Sequence, residues 1–171
     1  MTYIIMDLEW NNVYSKQLGA VFNEILEIGA VAVDENMEII SAFSELVRSR
    51  YTTKIKGKIK ELTHITNEDM YHGVDFNKAI TDFSSWTFKM NALDDGCLFM
   101  SWCDSDIRVL LDNIHLFKGY DFIPFIKKYA DLQAYCRDCL GDGFAKQPGL
   151  STAATALGID PSVYSTHRAL E

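Results

Sequence analysis

The sequence predicts an α/β fold built as one domain, and three observations carry that prediction. Residues 3–8 (YIIMDL) form a short apolar run ending in charged residues, as in a central strand that delivers its last side chains to a site at the sheet edge. Residues 24–33 and 37–47 are rich in β-branched side chains and flank the turn-like cluster Asp34-Glu35-Asn36, so they read as an antiparallel hairpin that completes a three-strand meander. Beyond them, helix-like and strand-like patterns alternate.

From Asp75 onward, Phe76, Ala79, Ile80, Phe83, Trp86 and Met90 recur at intervals of three and four, which marks an amphipathic helix with one buried stripe. Residues 97–101 (CLFMS) read as a buried strand, and residues 104–115 as a helix whose apolar face uses Ile107, Leu110, Leu111 and Ile114. A strand followed at once by a helix sets Asp104 or Asp106 in the first helical turn. Residues 122–135 have room for a further strand and helix, 141–149 form a glycine-rich loop, and 150–157 a short helix capped by Gly158. With no repeat, linker or low-complexity segment visible, residues 1–171 are expected to form a single domain.

A length of 171 residues, 48% of them hydrophobic, supplies one sizeable core. The 23% charged fraction and three prolines are unlike a disordered chain. A net charge of −8 and a pI of about 4.9 argue against a protein that coats duplex DNA through a broad basic face. A local strip is nevertheless present: Arg48, Arg50, Lys54, Lys56, Lys58 and Lys60 fall within residues 48–60 with no acid among them. It suits either guidance of a polyanion or a solvated edge strand that uses charge against aggregation. The amino terminus has no basic leader and no segment approaches a membrane span, so a soluble, cytoplasmic protein with no membrane partner is expected. The four cysteines then read as free thiols. The Cys136-x-x-Cys139 pair reads as ordinary helix or loop cysteines, since zinc needs two more ligands from afar.

Asp7 and Glu9 are one residue apart at a strand end, so their side chains share a face and their carboxylates can converge. Converging carboxylates call for a cation. In-line hydrolysis of a phosphodiester needs charge stabilisation on both attacking and leaving oxygens, which two Mg²⁺ or Mn²⁺ ions ~3.5–4 Å apart supply. These hard ions favour carboxylate and water oxygens. A third carboxylate, Asp106 or alternatively Asp104, sits where it can complete part of the cage. His167 is a candidate general base for the attacking water, because imidazole titrates near neutral pH.

The order of these pieces resembles the DEDDh exonucleases of the DnaQ-like group. That group includes ribonuclease T, the replicative proofreading subunit, and the KapD-like and histone-mRNA-type enzymes. The first motif is similar to residues 4–10 (IIMDLEW), the second to Ser101-Trp102-Cys103-Asp104-Ser105-Asp106 with Ile107, Val109 and Leu110 after it, and the third to His167-Arg168-Ala169-Leu170. Residues 62–66 (LTHIT) resemble the family's Leu-Thr-Gly-Ile-Thr element, and residues 149–159 the helix before the third motif.

The resemblance implies a ribonuclease H-like fold, a mixed central sheet with helices on both faces, and a 3′-to-5′ exonuclease acting on single-stranded RNA or DNA ends. Asp7 would bridge two Mg²⁺ or Mn²⁺ ions, Glu9 would ligate the one that activates water, Asp106 would support the other, and His167 would act as base. Trp10 and the Leu62, Thr63, His64 and Thr66 element would touch the terminal nucleotides, Trp10 by stacking; an ordinary half-buried aromatic is the competing reading. The Trp-x-Asp-x-Asp second motif leans toward the RNA-processing branch. Ribonuclease-type relatives often pair, so a homodimer is compatible, although no interface is visible in the sequence.

Two departures stand out. The family's fourth metal-binding aspartate falls five positions after the motif histidine, and this sequence ends at Glu171, four positions after His167. The expectation is a chain truncated at its carboxyl end, with Glu171 as an imperfect substitute otherwise. His64 also stands where the family has glycine. Two alternatives follow: a nucleic-acid-binding pseudo-nuclease, which the missing carboxylate favours, and a small-phosphoester hydrolase, which would gain nothing from the basic strip.

Overall fold

The computed structural model describes residues 1–16, 18–90, 97–118, 126–141 and 147–163. The elements are β1 (Thr2–Ser15), β2 (Ala20–Val33), β3 (Ile39–Leu46), α1 (Gly57–Thr63), α2 (Asn67–His72), α3 (Phe76–Lys89), β4 (Cys97–Ser101), α4 (Asp104–Lys118), β5 (Tyr129–Asp131), α5 (Leu132–Leu140) and α6 (Leu150–Ala156). Among the described residues the sheet has five strands in the order β3-β2-β1-β4-β5. The expected meander forms its antiparallel half, and β4 and β5 add in parallel. The sheet is therefore mixed.

β1 and β2 are longer than their apolar patterns indicate. Polar residues such as Asn11, Asn12 and Asn23 break the alternation, but the two strands pair as far as Ser15 and Ala20. Asp7 and Glu9 accordingly lie inside β1 and not at its end, which corrects the sequence expectation. The turn between β2 and β3 is as expected: the Asp34 carboxylate accepts from the N–H groups of Asn36 (2.8 Å) and Glu38 (3.0 Å), while Met37 takes a left-handed φ of 64°.

The sheet separates two apolar clusters. The larger packs Ile4, Met6, Leu8, Ile25 and Ile28 of the strands against α3 and α4. α3 buries Phe76, Ala79, Ile80 and Phe83 as its spacing predicts, and Asp75 caps it by accepting from the Asn77 N–H. Phe83 has no exposed surface, so its truncation to alanine costs about 3–5 kcal/mol. On α4 the buried stripe is rotated from the expected one: Val109 joins Leu110 and Ile114, and Leu111 is exposed. The smaller cluster, Leu26, Ile55, Ile65 and Met70 with Leu46 and Ile59, holds α1 and α2 to the opposite side of the sheet. Helices on both faces result.

A register shift between Glu9 and Trp10 makes this division possible. Glu9 pairs with Glu27 and Trp10 with Ile25, leaving Leu26 as the extra residue of a bulge in β2. Ile25 and Ile28 can then both enter the larger cluster, while Leu26 enters the smaller.

The chain after α2 returns alongside β3, with the Arg48 N–H donating to Val74 O (2.7 Å) and the Val74 N–H to Leu46 O (2.9 Å). α6 ends as expected, at Gly158 with φ 79° and the Ile159 N–H donating to Ala154 O (2.9 Å). All four cysteines are free, Cys136 and Cys139 on α5. Among the described residues no helix is long and apolar enough to cross a membrane.

Candidate active site

β4 pairs with β1 only from Thr2 to Ile5, so from Met6 onward one edge of β1 has no neighbouring strand from β4. Backbone donors there need another partner. Asp106, in the first turn of α4, supplies one: its Oδ1 accepts from the Leu8 N–H at 3.2 Å. Of the two aspartates of the second motif, Asp106 is the one that meets β1. Asp104 faces outward and pairs with Arg108 one turn on, whereas Asp106 is only 4% exposed.

The turn that aims Asp106 is braced from within the second motif by Ser101 and from outside it by Tyr129 and Gln133, which the sequence pattern does not single out. Ser101 Oγ and the Tyr129 hydroxyl both donate to Cys103 O, at 2.6 and 3.0 Å, and lie 2.7 Å from each other. The Gln133 N–H donates to Trp102 O at 2.7 Å.

Asp7 and Glu9 share one face of β1 by strand alternation. Directly across β2 from Glu9 lies Glu27, 1% exposed, with Oε1 accepting from Ser44 Oγ at 3.0 Å. The only sequence signal for Glu27 is an acid placed in the apolar run ILEIGAV. Burial, and then the charge of Glu27, push the Asp7 carboxyl up to about 6. Asp7 keeps exposed surface, crowded by protein yet reachable from solvent. Burial, and then the charge of Asp7, push Asp106 up to about 7. The repulsion between these two raises Asp106, while the charge acting on Asp7 is that of Glu27.

Crowded carboxylates that resist ionisation together gain from a cation, and their hard oxygens suit Mg²⁺ or Mn²⁺. The donors present fit such an ion, but they form a partial set. Among the described residues no three acidic, histidine or cysteine side chains converge to hold a metal by themselves. His167 and the rest of the third motif lie outside the described residues.

The Leu62–Thr66 element is the junction between α1 and α2, and its hydroxyls are engaged locally. Thr63 Oγ1 donates to Ile59 O (2.9 Å) and accepts from the Ile65 N–H (3.2 Å). Thr66 forms a capping box with Asp69, accepting from the Asp69 N–H at 3.1 Å and donating its own N–H to Asp69 Oδ2 at 2.8 Å. His64 is exposed at the end of α1 with φ 57°, the left-handed conformation that favours glycine. Leu62 is half-buried. Trp10 falls on the face of β1 opposite to Asp7 and Glu9 and packs against the larger cluster, as an ordinary half-buried aromatic does.

A search of curated proteins by sequence finds no match. Solved structures match closely in fold. A full-length 3′-exonuclease superposes with a TM-score of 0.84 at 18% identity, covering 99% of this chain and 55% of that one. The nuclease domain of 3′hExo, a DEDDh family member bound to rAMP, gives 0.77 at 21%, covering 99% and 84%. E. coli exonuclease I in complex with a dT13 oligonucleotide gives 0.67 at 15%, covering 98% and 38%. The chain thus spans about half the length of the first of these and most of the nuclease domain of the second. The model of the RNase_T family, described as Exonuclease, matches residues 4–171, and on that match the chain belongs to the exonuclease family.

Proposed function

We propose that this protein hydrolyses phosphodiester bonds stepwise from the 3′ ends of single-stranded nucleic acid, RNA in preference to DNA, with two divalent cations, Mg²⁺ or Mn²⁺. The observation that carries the reading is the crowding of Asp7 and Asp106 where β1 runs past the end of β4, with both carboxyls held well above their ordinary range. Such a cluster is a cost to a scaffold and an asset to a cation-dependent hydrolase.

In this reading Asp7, Glu9 and Asp106 hold the ions, which when bound stabilise charge on the attacking and leaving oxygens. The Leu8 N–H fixes one oxygen of Asp106 beside β1. Glu27 keeps the negative field at Asp7 high. His167 takes a proton from the attacking water. The α1–α2 junction flanks the terminal nucleotide through exposed His64 and half-buried Leu62, without Trp10, which packs against the larger cluster on the opposite face of β1. The lean toward RNA rests on the second-motif pattern and on the rAMP-bound nuclease domain among the similar folds.

The test is digestion of 5′-labelled single-stranded RNA and DNA by the protein, in Mg²⁺ or Mn²⁺, in EDTA, and with Asp7→Ala. The expected result is a metal-dependent ladder shortening from the 3′ end, faster on RNA and lost in the variant. No ladder on either polymer would overturn the reading in favour of a binding domain or a small-phosphoester hydrolase.

A further inference from the structure

The basic strip remains to be explained. It is not an edge strand: after Val47 the chain forms a loop and then α1, with no strand edge at its lysines to protect. The aggregation-blocking reading therefore lapses. Arg50 is occupied, paired with Asp75 at 2.6 Å and lying over the Phe117 ring at 5.0 Å. Lys54, Lys56, Lys58 and Lys60 are different. All four are exposed, and among the described residues none joins an ion pair, whereas Lys78, Arg108 and Arg137 do.

Their placement follows from the residues between them. Ile55, 3% exposed, and half-buried Ile59 insert into the smaller cluster and turn the flanking lysines outward. The loop is pinned at its start by Glu24, whose carboxylate accepts from the N–H groups of Arg50, Tyr51 and Thr52, and later by Asn67, which accepts from the Ile55 N–H at 3.0 Å. It is also tied to β1: Asn11 Nδ2 donates to Thr52 Oγ1 at 3.1 Å, and Lys56 Nζ lies 3.5 Å from Asn12 Oδ1. At ~3.3 Å per strand residue, the strip begins roughly 13–17 Å along β1 from Asp7.

We propose that Lys54, Lys56, Lys58 and Lys60 form the track for the phosphates of a single-stranded polynucleotide upstream of its 3′ end. This rests on the exonuclease reading and adds to it a dependence on substrate length and salt. Exposed lysines on an acidic protein attract backbone phosphates without reading bases. A substrate long enough to reach Lys56 gains this attraction, and a mononucleotide ester does not.

The experiment compares wild type with the quadruple variant Lys54→Ala/Lys56→Ala/Lys58→Ala/Lys60→Ala, checked for fold by circular dichroism. Two substrates are used, a 20-nucleotide single strand and the p-nitrophenyl ester of thymidine 5′-monophosphate, and binding of the labelled 20-mer is followed by anisotropy in EDTA across salt concentrations. Expected are a tenfold or greater loss of kcat/KM on the 20-mer, unchanged hydrolysis of the small ester, and a salt slope shallower by about 3, because each phosphate that a lysine neutralises contributes ~0.7. Equal loss on both substrates, no loss on either, or an unchanged salt slope would overturn the track. If wild type hydrolyses neither substrate the exonuclease reading itself fails, and the anisotropy slopes still decide whether the strip binds the polymer.

Discussion

Replacing Asp106 by asparagine should stabilise the metal-free protein at neutral pH while removing its activity. Asp106 is 4% exposed, and burial together with the charge of Asp7 holds its carboxyl at about 7, against 3.8 for the ordinary group. A raised folded-state value means that the native state keeps a proton the unfolded chain has already lost. Between pH 3.8 and about 7 the native state therefore binds more protons, and stability falls as pH rises through that window. Integrated from pH 5 to pH 8, the loss is about 2–3 kcal/mol. The Asp106→Asn amide has no charge to lose and can still accept from the Leu8 N–H. Urea unfolding in EDTA, followed by tryptophan fluorescence, should thus show a gap between variant and wild type that widens by this amount from pH 5 to pH 8. Mg²⁺ or Mn²⁺ should close it by stabilising wild type alone, by about 2.7 kcal/mol at a hundred times the dissociation constant. A gap that is the same at both pH values would refute the claim that crowded charge sets the cost of this site.

Three further changes probe the frame around it. Glu24→Ala strips the acceptor from the Arg50, Tyr51 and Thr52 N–H groups and should cost about 2–5 kcal/mol by urea unfolding. Glu24→Gln should cost less, and trypsin cleavage within residues 48–60 should rise in the same order. Gly73→Ala places a Cβ 2.6 Å from Arg48 N and 2.7 Å from Val47 C, backbone atoms that cannot swing aside, so a loss of at least 1–3 kcal/mol is expected in the same assay. His64→Gly relieves a left-handed φ of 57° and should raise stability by up to about 1 kcal/mol; a loss would show that the imidazole makes a contact of its own.

Legibility from sequence followed the contrast between a residue and its neighbours. Asp7 and Glu9 stood out because an apolar run leads into them, and α3 because its stripe is uninterrupted. Strand-then-helix position alone leaves Asp104 and Asp106 both in the first turn of α4; the family spacing favours Asp106, and packing adds that one meets Arg108 and the other Leu8. The α4 face was misjudged because Asp106 and Asn113, both buried, are polar members of its inward stripe, while apolar Leu111 points out. Glu24 and Glu27 were hidden for the opposite reason. They are acids in a strand whose pattern reads as core, and their burial depends on groups distant in sequence, the loop at Arg50–Thr52 for one and Ser44 for the other. The second half of β1 was missed because its pairing with β2, not its own alternation, defines it.

Asn113 gives that polar stripe its reason. Next to the β2 bulge at Leu26, Asn113, fully buried, accepts from the Ile25 N–H (3.3 Å) and donates to Asn23 O (2.8 Å). Seven residues separate Asp106 from Asn113, two helical turns, which places both on the same side of α4. The helix is thus fastened to the sheet at two points along one line, to β1 through Asp106 and to the bulge through Asn113. One fastening alone would leave α4 free to roll about its axis; two fix the rotation and hence the position of the Asp106 carboxylate beside β1. The bulge that lets two apolar clusters share one sheet also supplies the anchor that aims an acid of the candidate active site.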